Sequence, residues 1–300
     1  MQLKIENCQL LLLRKFYDPI SIPLEDINSI VIESRDIQLS SYLLSEIGQY
    51  NIPLYLCDKK HIPSSVVLPF SKHSRHFRML KNQINMSEPL RKRLWQQVVK
   101  FKICNQMDLL KALEKDSVGK LSTLSATVKS GDTTNNEAQA ALVYFKALFG
   151  RSYRRGDEAD KTNSALDYGY TILRGLVARS VIAYGFEPSI GINHCSELNA
   201  YNLADDLMEP FRPVVDRLVY QYIQEKEDFF EVQELTSEER RYILNLHDVM
   251  ISVKGRKQLL YNGINVFVES FSKSLSEKKC LIEQPQICKY EGITVTDEDK

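Results

Sequence analysis

No Cys-x-x-Cys pair occurs in the chain, whose cysteines (Cys8, Cys57, Cys104, Cys195, Cys280 and Cys288) are scattered. That spacing offers neither a zinc knuckle nor a disulfide framework, and it fits reduced thiols in a cytoplasmic protein. No apolar run approaches the roughly 20 residues needed to cross a bilayer. No basic, apolar, small-residue leader opens the sequence, so the expectation is a cytoplasmic protein without membrane attachment. A phosphate-binding glycine loop is also missing: Gly150 and Gly156 flank Arg151, Arg154 and Arg155 without the required spacing. No Gly-x-Ser-x-Gly nucleophile motif appears. A formal net charge of zero argues against polyanion binding by the whole surface, though not by one face.

What is present is an ordinary globular composition, 43% hydrophobic and 26% charged over 300 residues. That length fits two domains, or one large one with an appendage. The first seventy residues read mostly as strands: Leu10–Leu13, Ile27–Ile32, Pro53–Cys57 and Ser65–Leu68 are short apolar or alternating runs. One helix interrupts them, with Ile37, Leu43, Leu44, Ile47 and Tyr50 at helical spacing and Ser40 or Ser41 as cap. Beyond Pro69 no convincing strand returns. Helices are expected from Ser87 toward Leu113, over 135–149 with Ala138, Ala141, Leu142, Phe145, Leu148 and Phe149 as the apolar stripe, and over 162–184. Further helices are expected after Pro213 and over 256–275. The fold class is therefore α+β. A β-rich N-terminal domain (1–72) is followed by a linker or helix (73–86), a larger all-α domain (87–285) and a loosely ordered tail (286–300).

Three features could carry chemistry. The stretch from Pro188 to Pro213 places His194 ahead of a helical segment bearing Asp205, Asp206 and Glu209, with Ser196 as its expected N-cap. An imidazole and hard carboxylates suit a divalent cation, magnesium or manganese. The alternative is a solvated polar face, Asn202, Asp206 and Glu209 sharing one side of the helix. Glu137 sits in the first turn of its helix at the edge of the apolar stripe. It is either a start-of-helix acid favoured by the dipole or a carboxylate facing something positive. From Lys72 to Lys102 the positive residues Lys72, Arg75, Arg78, Lys81, Arg91, Lys92, Arg93, Lys100 and Lys102 are opposed only by Glu88. This run is a phosphate-tracking surface or simply a solvated face.

The strings NNEAQAALVYFKALFG (135–150), NSALDYGYTILRGLVARSVIAYGFEPSIGINH (163–194) and NAYNLADDLMEPFRPVVDRLV (199–219) closely resemble the CRISPR-associated endonuclease/integrase of spacer acquisition, type II branch. The resemblance implies a metal-dependent DNA endonuclease and integrase with Mg2+ or Mn2+, its metal and catalytic residues falling on Glu137, His194 and Glu209. Asp206 is implied as a supporting ligand or a group behind the ligands. Lys72, Arg75, Arg78, Lys81, Arg91 and Lys92 become candidate DNA contacts. The implied partners are prespacer duplex and CRISPR repeat DNA, a second copy forming a homodimer through the β domain, and a small second CRISPR-associated protein completing a heterohexamer. Members of this branch often carry Asn where this chain has Asp167. The reaction implied is transesterification by a 3′-hydroxyl, its rivals being a stand-alone metal nuclease on branched DNA and a non-catalytic DNA clamp.

Overall fold

The computed structural model describes the chain except residues 1, 28, 29, 33, 35, 51, 53, 59–62, 68–73, 158, 159, 231–233 and 288–300. Its first part is built from β1 (Gln2–Glu6), β2 (Gln9–Leu13), β3 (Ile20–Pro23), β4 (Ile30–Ile32), α1 (Ser41–Gln49), β5 (Leu54–Cys57) and β6 (Pro63–Val67). β1, β2 and β3 form an antiparallel sheet. In β1 the alternation of Gln2, Leu3, Lys4, Ile5 and Glu6 buries Leu3 and Ile5 on one face. β4 and β5 run parallel and β6 returns antiparallel. A parallel pair needs a crossover, and α1 supplies it. Ser40 caps α1 by accepting a hydrogen bond from Leu43 N at 3.1 Å. Leu3, Ile5, Leu10, Leu24, Leu43, Ile47 and Leu54 join one apolar cluster.

The rest is mainly helical: α2 (Ser74–Ile84), α3 (Glu88–Ala112), α4 (Val118–Thr127), α5 (Asn136–Phe149), α6 (Lys161–Ala183), α7 (Asn202–Met208), α8 (Arg212–Glu225), α9 (Ser237–Leu244) and α10 (Leu260–Glu277). A second and much larger apolar cluster unites them. Two helices organise it. α3 packs against α4, α5, α8 and the 3-10 turn Glu209–Phe211, and α6 packs against α7, α8, α9 and α10. Among the described residues no helix is long and apolar enough to cross a membrane.

Several local expectations fail for identifiable reasons. β7 (Met250–Val253), β8 (Arg256–Leu259) and β9 (Pro285–Gln286) form a small sheet beyond Pro69. The final helix accordingly begins at Leu260 rather than near Arg256. Lys254 and Gly255 both take positive φ (54° and 73°), and this two-residue turn pairs Val253 with Arg256. Such a turn matches the twist of a hairpin. On α5 the buried face is Asn136, Ala140, Tyr144 and Leu148, whereas Ala138 and Leu142 are exposed. The stripe is thus rotated from the expected one. α9 carries a capping box, Thr236 with Glu239, that the apolar pattern alone did not reveal.

Close packing of α6 on α8 depends on Gly169, where an added Cβ would lie 2.4 Å from Val215 Cγ1. Gly169→Ala is therefore expected to destabilise the fold by about 1–3 kcal/mol despite alanine's better helix propensity. Denaturant unfolding reads this directly, and an unchanged midpoint contradicts it.

Candidate active site

Each candidate side chain is placed by a buried polar group on a neighbouring segment. Glu137 stands in the first turn of α5, whose start is capped by Asp132. Its carboxylate accepts hydrogen bonds from Asn136 N at 2.8 Å and Glu137 N at 3.0 Å. Asn136 Nδ2 donates to Leu124 O and Thr127 Oγ1, tying this turn to α4. Glu209 opens the 3-10 turn between α7 and α8. That turn is pinned to α3 by Asn105 Nδ2, which donates to Pro210 O at 2.7 Å. One helical turn earlier on α3 lies Lys102.

Lys102 joins the two glutamates. Its Nζ is 2.7 Å from Glu137 Oε1 and 2.5 Å from Glu209 Oε2. The first contact is a hydrogen bond. The second, to a buried carboxylate oxygen, is a close ion pair in which the ammonium again donates. Arg212 Nε holds the other oxygen, Glu209 Oε1, at 2.8 Å. Burial pushes the Glu209 carboxyl up, but Arg212 and then Lys102 outweigh it and hold it below the usual range. Burial likewise pulls the Lys102 ammonium down, and Glu209 and Glu137 reverse that, leaving it raised. Lys102, read in sequence as the end of a run that is either phosphate-tracking or solvated, is instead a buried counter-ion.

Behind Glu209 the polar chain continues. The Arg212 guanidinium lies 4.6 Å from the Tyr170 ring centroid. Tyr170 OH and Tyr144 OH both donate to the buried Asp216 carboxylate. Burial pushes the Asp216 carboxyl up to about 6, against the two tyrosine hydrogen bonds that favour its charge.

His194 is held separately. Asp206 is wholly buried and accepts hydrogen bonds from the backbone N–H groups of Ile192, Asn193 and His194 and from His194 Nδ1, the last at 2.6 Å. Gly191 permits this tuck, because a Cβ there would lie 2.3 Å from His194 O and 2.7 Å from Asp206 Oδ2. Asn202 Nδ2 staples the same loop through Ser189 O and Ser196 O. The ring is set edge-on to Trp95 at 6.1 Å between centroids. With Nδ1 committed, Nε2 is the nitrogen left to ligate a cation or take a proton. The hydrogen bond to Asp206 raises the imidazole pKa, partial burial opposes it, and the charges of Asp206, Glu209 and Asp205 add to the rise.

Glu137 and Glu209 thus share one cation, with His194 within the electrostatic reach of Glu209. Among the described residues no three His, Cys, Asp or Glu side chains stand close enough together to hold a metal ion as they are. The Lys102 ammonium lies between the two carboxylates. The donor set itself fits a hard divalent ion: two carboxylates that already face one cation, and an imidazole nitrogen. The side-chain oxygens of Asp206 serve the loop. The structure therefore gives this residue an orienting role and corrects the idea of a solvated Asn202, Asp206 and Glu209 face, since all three are buried. Ser196 is no cap either, because α7 starts at Asn202.

Of the candidate DNA contacts, Lys72 lies outside the described residues and Arg75 falls on α2. Arg78 and Lys81 are exposed on α2, as are Arg91 and Lys92 on α3. Lys92 pairs with Glu88 at 2.6 Å. Asp167 is met by Arg155, so its extra charge is locally compensated.

The family described as CRISPR associated protein Cas1 matches residues 1–260. The chain belongs to the Cas1 family. A curated member from Neisseria meningitidis serogroup C (strain 8013), named CRISPR-associated endonuclease Cas1, is 39% identical over 260 residues, 86% of this chain and 84% of that protein. The Cas1 likeness extends to solved structures. A partial Cas6-RT-Cas1–Cas2 complex has TM-score 0.73 at 21% identity, covering 93% of each chain. A casposase bound to integration product has TM-score 0.65 at 18% identity, covering 97% of each. At these identities the structural matches speak for the Cas1 fold.

Sequence reasoning overlooked Lys102, Arg212, Asp216, Tyr144 and Tyr170 as parts of this centre. A signal existed for Lys102, which falls at helical spacing with the buried Trp95, Val98, Val99 and Gln106. Asp206→Asn is expected to return the His194 pKa toward its ordinary value and to lower metal affinity about 10–100-fold. NMR titration of the imidazole reads the first effect, and a pKa unmoved by the substitution contradicts the orienting role.

Proposed function

We propose that this Cas1 family member is a metal-dependent DNA endonuclease and integrase of CRISPR adaptation, of the type II branch. It would insert prespacer DNA into a repeat by transesterification from a 3′-hydroxyl. The observation that carries the reading is the meeting of Glu137 and Glu209, from α5 and the turn before α8, at one buried positive charge beside an oriented His194. The names of the Neisseria relative and of the casposase and Cas1–Cas2 structures support the same reading.

Glu137, Glu209 and His194 Nε2 would hold the magnesium or manganese ion. Bound there, the ion would neutralise charge developing on phosphorus and lower the pKa of the attacking hydroxyl. The protein's remaining task is mainly positioning. Asp206 fixes the imidazole so that Nε2 faces its ligand or an arriving proton. Arg212, braced on Tyr170, fixes the Glu209 carboxylate. The exposed Arg78, Lys81 and Arg91, with Lys72, Arg75 and Lys92, would track the duplex backbone without reading sequence. The β-rich part would pair two copies, and the small second CRISPR-associated protein would complete a heterohexamer.

The test offers the protein a supercoiled plasmid carrying a repeat, a 3′-hydroxyl duplex, manganese and the small partner. Strand-transfer product is expected, falling about 100-fold or more in Glu137→Ala, Glu209→Ala and His194→Ala. It is also expected to vanish with a 3′-blocked donor. Cleavage that ignores the block would instead favour a stand-alone nuclease on branched DNA. Metal-independent binding without turnover would favour a clamp.

A further inference from the structure

The centre contains a cation of its own. Lys102 is buried on α3, and its ammonium touches Glu137 Oε1 and Glu209 Oε2, oxygens of the two carboxylates that would hold the metal. Two carboxylates brought this close without a positive charge between them would repel, and one would be driven to protonate. A buried ammonium relieves that repulsion. It also excludes a competitor: a divalent ion held by the same two carboxylates would contend with Nζ for the space between them.

We infer that Lys102 is a resident counter-ion that preassembles the Glu137–Glu209 pair and competes with the divalent ion for it, so that loading requires the ammonium to withdraw. The inference rests on the assignment of those glutamates as ligands. The two cations beside Glu209 differ in their freedom to move. Arg212 approaches the opposite oxygen and is braced by Tyr170, which is itself bonded to Asp216. Lys102 bonds both carboxylates from the end of a flexible four-carbon stem, whereas the guanidinium of Arg212 is a planar, preorganised fork. Arg212 therefore stays while Lys102 leaves.

The sign of one substitution separates this role from a merely structural one. A structural lysine, once removed, would loosen the pair and weaken metal binding. A competitor, once removed, strengthens it. Calorimetric titration of the full chain with manganese chloride is expected to show Lys102→Met binding at least about tenfold more tightly than the wild type, the scale of one close charge pair. Metal-free Lys102→Met should melt at lower temperature than the wild type and recover more of its Tm on adding manganese. Equal or weaker binding by Lys102→Met overturns the inference.

Should that variant not fold, the wild type answers by amine-reactive labelling with mass-spectrometric readout. Lys102 is expected to be protected without metal and modified at saturating manganese, and unchanged protection overturns the inference. Glu137→Ala separates the two levels of failure. If wild type binds manganese, Glu137→Ala does not, and Lys102→Met gains nothing, only the role of Lys102 fails. If manganese binds none of the three, or binds Glu137→Ala as well as wild type, the ligand assignment and the inference fall together.

Discussion

A single ammonium group between two carboxylates governs how this protein's centre is arranged. Lys102, Glu137 and Glu209 come from α3, α5 and the 3-10 turn before α8, and their charges meet where Lys102 and Glu209 are buried and Glu137 is half-buried. Removing one partner of such a buried set leaves an uncompensated charge, a cost of about 3–5 kcal/mol. The contacts between α3 and its two neighbours therefore bring the chemistry together as well as the apolar core. Arg212, Tyr170, Asp216 and Tyr144 extend the same polar layer through the helical core, so the position of Glu209 is set from both sides.

Three buried side chains do comparable work at the edges. Asp132 caps the turn that carries Glu137, Asn105 pins the turn that carries Glu209, and Asp206 gathers the loop that carries His194. Each binds backbone on another segment. A site held this way is preorganised, because the functional groups inherit the rigidity of the packed helices. The cost is tolerance: Gly191 has no room for a side chain where the loop folds onto Asp206.

Much of this was legible before any coordinates. The strand-rich start, the helical remainder and α1 with its Ser40 cap follow from periodicity and capping chemistry. Glu137, His194 and Glu209 were open candidates by residue type and spacing, and the family resemblance singled them out as one set. Lys102 did not stand out, because a run of like charges read in one dimension looks like a surface. Only the third dimension places it opposite two acids. The β7–β8 hairpin escaped notice because Arg256–Leu259 lacks alternation and its turn relies on a positive φ at Lys254. Asp216, adjacent to Val215 on α8, is the clearest warning missed, since a carboxylate on an apolar face must find donors.

The central claim is that residues distant in sequence form one divalent-cation site in this Cas1 family member. Crystals soaked in manganese chloride, with anomalous diffraction collected at the manganese edge, test it most directly. The account predicts one strong peak within bonding distance of Glu137, Glu209 and His194 Nε2, with the Lys102 ammonium moved out of the space between the glutamates. A peak elsewhere in the molecule, or a peak touching only one of the three, would contradict it.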